Sequence, residues 1–148
     1  MKLVLDTNVV MDWLVFEDAS LTLMRFALLS GHLTIVTHEM ATNELRRVLN
    51  YPALKLDVTR QEDVFTRYQA QTSLTDVSTG LDGLPVGFPR CRDPDDNPFI
   101  VLAWNAHADA LVSKDKAVLK VARKSKKFGF RILSIPQMNE ALAQLAVS

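Results

Sequence analysis

Cysteine is almost absent from this 148-residue chain, with Cys91 its one thiol. A single cysteine excludes a disulfide framework within one chain and a cysteine-based zinc site. Long apolar runs are missing too: none approaches the roughly 20 residues of a membrane-spanning helix, so no membrane partner is expected. Excess charge of either sign is lacking, since 17 Lys and Arg balance 17 Asp and Glu. That balance argues against a generally cationic nucleic-acid coat and leaves polyanion contact to a local patch. Internal repeats, low-complexity tracts and linkers are also absent, and the length supports one domain over residues 1–148. The opening Met1-Lys2-Leu3-Val4-Leu5-Asp6 meets a carboxylate too early for the apolar region of a secretory signal. A reducing cytoplasm is the expected setting.

What is present reads as strands alternating with helices. Lys2 to Leu5 is a short branched apolar run closed by Asp6-Thr7-Asn8, a strand entering a helix N-terminus. Helices are predicted around 9–16 and 19–30, the second ended by Gly31. A strand over 33–36 precedes helices over 38–49 and 60–71. Residues 72–92 hold Gly80, Gly83, Pro85, Gly87 and Pro89 and read as irregular, with room for one short strand. Asp95-Asp96-Asn97-Pro98 opens a helix, because Asp or Asn suits the cap and proline tolerates the first helical position. A strand over 110–113, a helix from 115 to about 128, a strand over 131–135 and a helix opened by Pro136 complete the order. Near-continuous apolar strands separated by helices imply an α/β fold with a mostly parallel central sheet covered on both faces. Ligands of such sheets bind beyond the carboxyl ends of the strands.

Four carboxylates do not read as ordinary surface charges. Asp6 directly follows a buried strand, and Asp115 follows the strand that ends near Ser113. Glu44 lies within the helical stripe formed by Ala41, Leu45 and Val48. Asp96 heads the stripe Phe99, Ile100, Ala103, whereas Asp93 and Asp95 lie nearer solvent. Each has a plainer reading: a helix cap for Asp6, Asp96 and Asp115, and an arginine partner such as Arg46 or Arg47 for Glu44. Asp6 and Asp115 would share the rim of one sheet, with Glu44 and Asp96 on helices packed near it, and the four would repel one another unless a divalent cation neutralised them. Oxygen-only ligation favours Mg²⁺ or Mn²⁺ over zinc.

Several other motifs fail on inspection. Asp93-x-Asp95-x-Asn97 imitates a calcium loop, but Pro98 replaces the turn glycine and Trp104 the twelfth-position glutamate. His38-Glu39 begins a zinc-protease motif whose second histidine is Thr42. Haloacid-dehalogenase-like phosphatases require a second aspartate where Asn8 stands. Receiver domains require paired acids after the first strand and a strand-end lysine-proline. No glycine-rich phosphate loop follows any strand. His32, His38 and His107 are scattered and read as structural or surface residues.

The stretch Leu3-Val4-Leu5-Asp6-Thr7-Asn8-Val9 resembles the first acidic motif of the PIN-domain family of metal-dependent ribonucleases. The run from Cys91 to Ile100, followed by Ala108 to Asp115, is similar to a subgroup regarded as toxins of toxin–antitoxin pairs. The likeness continues through Gly129-Phe130-Arg131-Ile132-Leu133 and the proline-led last helix. It implies a three-layer PIN-like fold and an acidic site of Asp6, Glu44, Asp96 and Asp115, with Asp93 the alternative third metal ligand. Thr7, Asn8 and Ser113 would lend polar support; Pro98 stands where family members often carry lysine. The implied activity is Mg²⁺- or Mn²⁺-dependent hydrolysis of RNA, with a cognate antitoxin and a homodimer as implied partners.

RNA must also be held. Lys114, Lys116, Lys120, Arg123, Lys124, Lys126, Lys127 and Arg131 fall within 18 residues that begin beside Asp115. Such a run reads as a solvated helix face or as a phosphate-backbone contact. Trp13, Trp104 and most phenylalanines sit in apolar runs and read as core rather than base-stacking platforms. The alternative to a nuclease is a catalytically silent PIN-like scaffold that binds RNA or a partner.

Overall fold

In the computed structural model, which describes residues 1–147, with side chains to residue 145, five short strands lie parallel in one sheet. They are β1 (Lys2–Leu5), β2 (Thr34–Thr37), β3 (Ser73–Leu74), β4 (Ala110–Val112) and β5 (Arg131–Leu133), in the order β3-β2-β1-β4-β5. Parallel strands need crossovers, which here are the helices α1 (Thr7–Leu14), α2 (Thr22–Leu29), α3 (Glu39–Leu49), α4 (Val58–Gln71) and α5 (Asn97–Asn105), with α6 (Lys116–Leu119) and α7 (Ala122–Ser125) between β4 and β5. The closing helix is α8 (Ile135–Val147).

Side chains of a strand alternate between faces, and the two cores follow that period. Leu3 and Leu5 of β1 join Ala110 and Val112 of β4 in a core with α1, α2, α4, α8 and the Leu45 and Leu49 end of α3. Val4 and Leu111 point the other way, onto Ile100, Val101, Leu102 and Ala103 of α5 and onto Val118 and Phe130. The sheet is thus covered on both faces. Among the described residues, no helix is long and apolar enough to cross a membrane.

Two predicted helices are subdivided. The segment expected as one helix over 19–30 enters through a 3-10 turn at Ala19–Leu21, capped by Asp18, whose carboxylate accepts the Ser20 N–H. The segment from 115 to 128 breaks into α6, α7 and a 3-10 turn at Lys126–Phe128. There the Val121 N–H bonds to the Val118 carbonyl, three residues back. This tightening brings Val118, Ser125 and Phe130 into the core along a curve that one straight helix would not follow. Gly129 takes a left-handed φ of 86° and turns the chain into β5. The irregular stretch over 72–92 holds the short strand β3 and folds Phe88 against Trp104, Phe128 and Phe130, and a 3-10 turn at Pro94–Asp96 leads into α5. Trp13 is core, as its apolar setting indicated.

The order reverses at β1, which pairs with β2 on one side and β4 on the other. That switch point opens a crevice at the carboxyl ends of β1 and β4. The register Leu5↔Val112 puts the next residues, Asp6 and Ser113, side by side. For the core that supports this edge, Leu45→Ala should cost about 2–5 kcal/mol in urea denaturation. Val86→Ala, at a fully exposed side chain, should stay within about 0.5 kcal/mol of the parent.

Candidate functional site

Asp6 follows β1 and caps α1. Its Oδ1 accepts the Thr7 N–H at 2.8 Å, and its Oδ2 accepts the Ser113 hydroxyl at 2.6 Å. Ser113 is fully buried, and its Oγ also accepts the Asp115 N–H at 3.0 Å. One hydroxyl therefore ties the ends of β1 and β4 together. Asp115 in turn caps α6, its Oδ1 accepting the Ala117 N–H at 2.8 Å. The cap readings of Asp6 and Asp115 are thus correct, and capping leaves both carboxylates facing the crevice.

Asp96 behaves differently. It lies at the cap position of α5 but makes no side-chain cap bond. Its loop is held by the buried Asn97, whose Oδ1 accepts the Cys91 N–H at 2.6 Å while its Nδ2 donates to the Cys91 carbonyl at 3.5 Å. The Cys91 thiol points at Asp96 Oδ2 from 3.8 Å. Thus pinned, Asp96 meets Asp6, Thr7, Asn8, Glu44 and Asp115 around a hollow of about 400 Å³. Asp93 is not among the lining residues: it is exposed and turns its Oδ1 onto the Asp95 N–H at 3.0 Å.

Glu44 carries the arginine that its helix face suggested. Its Oε2 accepts from Arg47 at 2.7 Å, one turn along α3, and it also lines the hollow. Arg47 remains largely exposed, so the pair is a rim contact rather than a buried one. Lys114 enters from the other side, its Nζ 2.7 Å from Asp12 Oδ2. The remaining cations of the run, Lys116, Lys120, Arg123, Lys124, Lys126, Lys127 and Arg131, do not line the hollow. Among the described residues, Lys114 is the one member of that run in an ion pair.

The electrostatics follow from crowding. Desolvation pushes the Asp96 carboxyl up to about 7, helped by the charges of Asp6, Asp115 and Asp93 and by a hydrogen bond with Asp115. Burial raises Asp6 as well; the Ser113 and Thr7 hydrogen bonds oppose the rise, and the Asp115 and Glu44 charges add to it. Among the described residues no three carboxylate, imidazole or thiol groups close on a common point as a finished metal centre would. The acids surround the space, and Asp6, Asp115 and Glu44 are each held back by bonds to Thr7, Ser113, Ala117 or Arg47. Their donor set is oxygen only, and their crowding is the kind a hard divalent cation relieves, so the residues fit Mg²⁺ or Mn²⁺ by chemistry. Another hollow, about 310 Å³ between α2, β2 and α4, holds no ionisable side chain.

A family model described as PIN domain matches residues 2–117. The chain belongs to the PIN domain family. Among solved structures, this PIN domain is similar to a chain of VapBC2 from Rickettsia felis bound to a DNA fragment from the promoter. That similarity has a TM-score of 0.58 at 14% identity and covers 90% of this chain and 98% of that one. Such a likeness establishes the shared fold. Among curated proteins, none matches the chain significantly.

Four contributors to the PIN domain's hollow escape a reading of the sequence. Asp12 is buried within Val10-Met11-Asp12-Trp13-Leu14, and an acid flanked by core residues signals a partner, here Lys114. Asn97 reads as a cap residue, but its amide clamps the Cys91 backbone. Phe16 and Tyr51 form an exposed apolar rim with no sequence signal.

A raised carboxyl pKa has a defined consequence for stability. Protonated Asp96 is favoured in the folded state, so its contribution is fully present below the ordinary value of 3.8 and is lost as pH rises through about 7. Asp96→Asn should therefore be more stable than the parent above neutrality, with the difference closing at acid pH. Urea denaturation across pH in chelator measures this; a variant less stable than the parent at every pH would contradict it.

Proposed function

We propose that this PIN domain is a metal-dependent ribonuclease and the toxin of a toxin–antitoxin pair. The observation that carries the reading is the crowded hollow in which Asp96 is held at about 7 by burial and by Asp6, Asp115 and Asp93. Asp6, Glu44, Asp96 and Asp115 are the residues that would hold Mg²⁺ or Mn²⁺, with Asp93 contributing charge from outside the lining. When bound, such a cation supplies Lewis-acid polarisation of a phosphate and a water of lowered pKa.

The chain's own residues do the remaining work. Ser113 and the Thr7 N–H fix both oxygens of Asp6, so its position is set before substrate arrives. Asp96, free of a cap bond, is the least compensated carboxylate of the hollow and the one whose charge a bound cation would neutralise most. Asn8 steadies the turn after β4 by accepting the Lys114 N–H at 3.4 Å. Lys114, held by Asp12, faces the hollow with a charge suited to a phosphate oxygen. Lys116, Lys120, Arg123 and Lys124 extend that charge outward along the RNA backbone, which gives affinity without sequence preference.

The antitoxin is the partner that the Rickettsia felis VapBC2 likeness suggests for this chain. A cationic side chain from it would compete for the same carboxylates, as Arg47 already does for Glu44. A homodimer and a cytoplasmic setting belong to the same proposal.

Divalent-metal titration with cleavage of labelled RNA tests the activity. Asp6→Asn and Asp96→Asn should lower the rate by about 100-fold or more while remaining folded. Equal rates in both variants and the parent would contradict the proposal, and RNA binding without turnover in the parent would make the chain a scaffold. Replacing Lys116 and Lys120 by alanine should flatten the salt dependence of RNA binding by about 0.7 for each phosphate that is no longer neutralised.

A further inference from the structure

Each acid of the hollow needs something to hold it there. Asp6 and Asp115 hold themselves, since their own oxygens accept first-turn N–H groups of α1 and α6. Glu44 is set by Arg47. Asp96 makes no such bond at the start of α5, so its placement comes from the chain around it. That chain is the seven-residue loop from Cys91 to Asn97, and the Asn97 side chain closes it. Inside the loop, the Asp95 N–H bonds to Asp93 Oδ1 at 3.0 Å and the Asp96 N–H to the Asp93 carbonyl at 3.2 Å. A clamp at the two ends therefore fixes the loop as a unit. Cys91 belongs to the core with Phe88, Phe99 and Ile100, which ties the clamp to the body of the protein.

The Asn97 amide meets the Cys91 backbone as a second peptide group would, accepting its N–H at 2.6 Å and donating to its carbonyl at 3.5 Å. Both residues are buried, 5% exposed for Asn97 and 6% for Cys91, so water does not compete for these bonds. The pair is specific to an amide of this length. A carboxylate would accept the N–H but oppose the carbonyl, and a hydroxyl offers one atom where two are needed. We propose that Asn97 is a positioning residue for the divalent cation: by clamping Cys91 it holds the Asp96 carboxylate in the hollow, and so sets the affinity for Mg²⁺. This rests on the metal-dependent reading of the hollow and adds to it a residue outside the lining that acts through Asp96.

The test titrates the full chain with Mg²⁺ by calorimetry, without RNA. Asn97→Ala should weaken Mg²⁺ binding by about tenfold or more. In an Asp96→Asn background the same substitution should cost no further affinity, while its lowering of the urea midpoint should persist. Cys91→Ala keeps both backbone groups and should bind Mg²⁺ as the parent does. Coupling between two sites is reciprocal, so a clamp that tightens Mg²⁺ binding is itself tightened by Mg²⁺ to the same extent. In the parent, Mg²⁺ should therefore slow hydrogen exchange of the Cys91 amide by about tenfold. The His32 amide, bonded to the Ala27 carbonyl outside the hollow, should be unaffected. That measurement needs no variant and decides the matter even where Asn97→Ala fails to fold. Equal Mg²⁺ affinity in the parent and Asn97→Ala would overturn the proposal, as would an equal loss with and without the Asp96 carboxylate. A loss in Cys91→Ala matching that in Asn97→Ala would also overturn it, by assigning the positioning to the thiol 3.8 Å from Asp96 Oδ2. These results leave the metal site standing, whereas a parent that binds no Mg²⁺ removes the metal reading and this inference with it.

Discussion

Negative charge gathered at the carboxyl edge of a parallel sheet is costly, and the arrangement of this protein answers that cost. Asp6 and Asp115 follow the adjacent strands β1 and β4, so the chain topology itself sets their carboxylates near each other. Burial then removes the water that would screen them. Asp96 enters the same space from the start of α5, where desolvation first and the repulsion of Asp6 and Asp115 second hold its carboxyl near 7. A charge left in such surroundings takes up a proton, a partner cation or a metal.

The protein distributes these solutions among its acids. Asp6 has hydrogen bonds on both oxygens, Glu44 has Arg47, Asp12 has Lys114, and Asp115 has the first turn of α6. Asp96 has the weak thiol contact of Cys91 and a hydrogen bond with Asp115. The incomplete compensation is therefore concentrated on one side chain, whose loop is fastened by Asn97. That combination of firm placement and unrelieved charge sets Asp96 apart from the acids that serve as caps. The family membership and the acidic hollow support the same chemistry from separate directions.

Much of this was legible in the sequence because strands and caps are local. The apolar run ending at Asp6 and the run ending near Ser113 identify two strand ends, and alternation of elements places both at one sheet edge. The phase of α3 located Glu44 toward the interior and also its arginine, and both readings hold together. Asp93 and Asp96 were harder to separate, since three acids within four residues differ only in the turn they occupy. The structure puts Asp96 at the hollow and Asp93 in its own turn. Less visible were features produced by curvature and distant contact: the breaking of the helix after Asp115, the Asp12–Lys114 pair between the two strand ends, and the aromatic rim. Phe16 and Tyr51 are 35 positions apart in sequence, and only the packing of α1 against α3 sets them around one hollow.

The charge state of the Asp96 carboxyl group and its response to a cation decide whether the hollow works as a metal site. Titrating the Asp96 side-chain carbon by NMR, with and without Mg²⁺, measures both directly. The midpoint should lie near 7 in chelator and shift far downward once Mg²⁺ is added. A midpoint near the ordinary 3.8 in chelator, or one that Mg²⁺ leaves unmoved, would contradict that role.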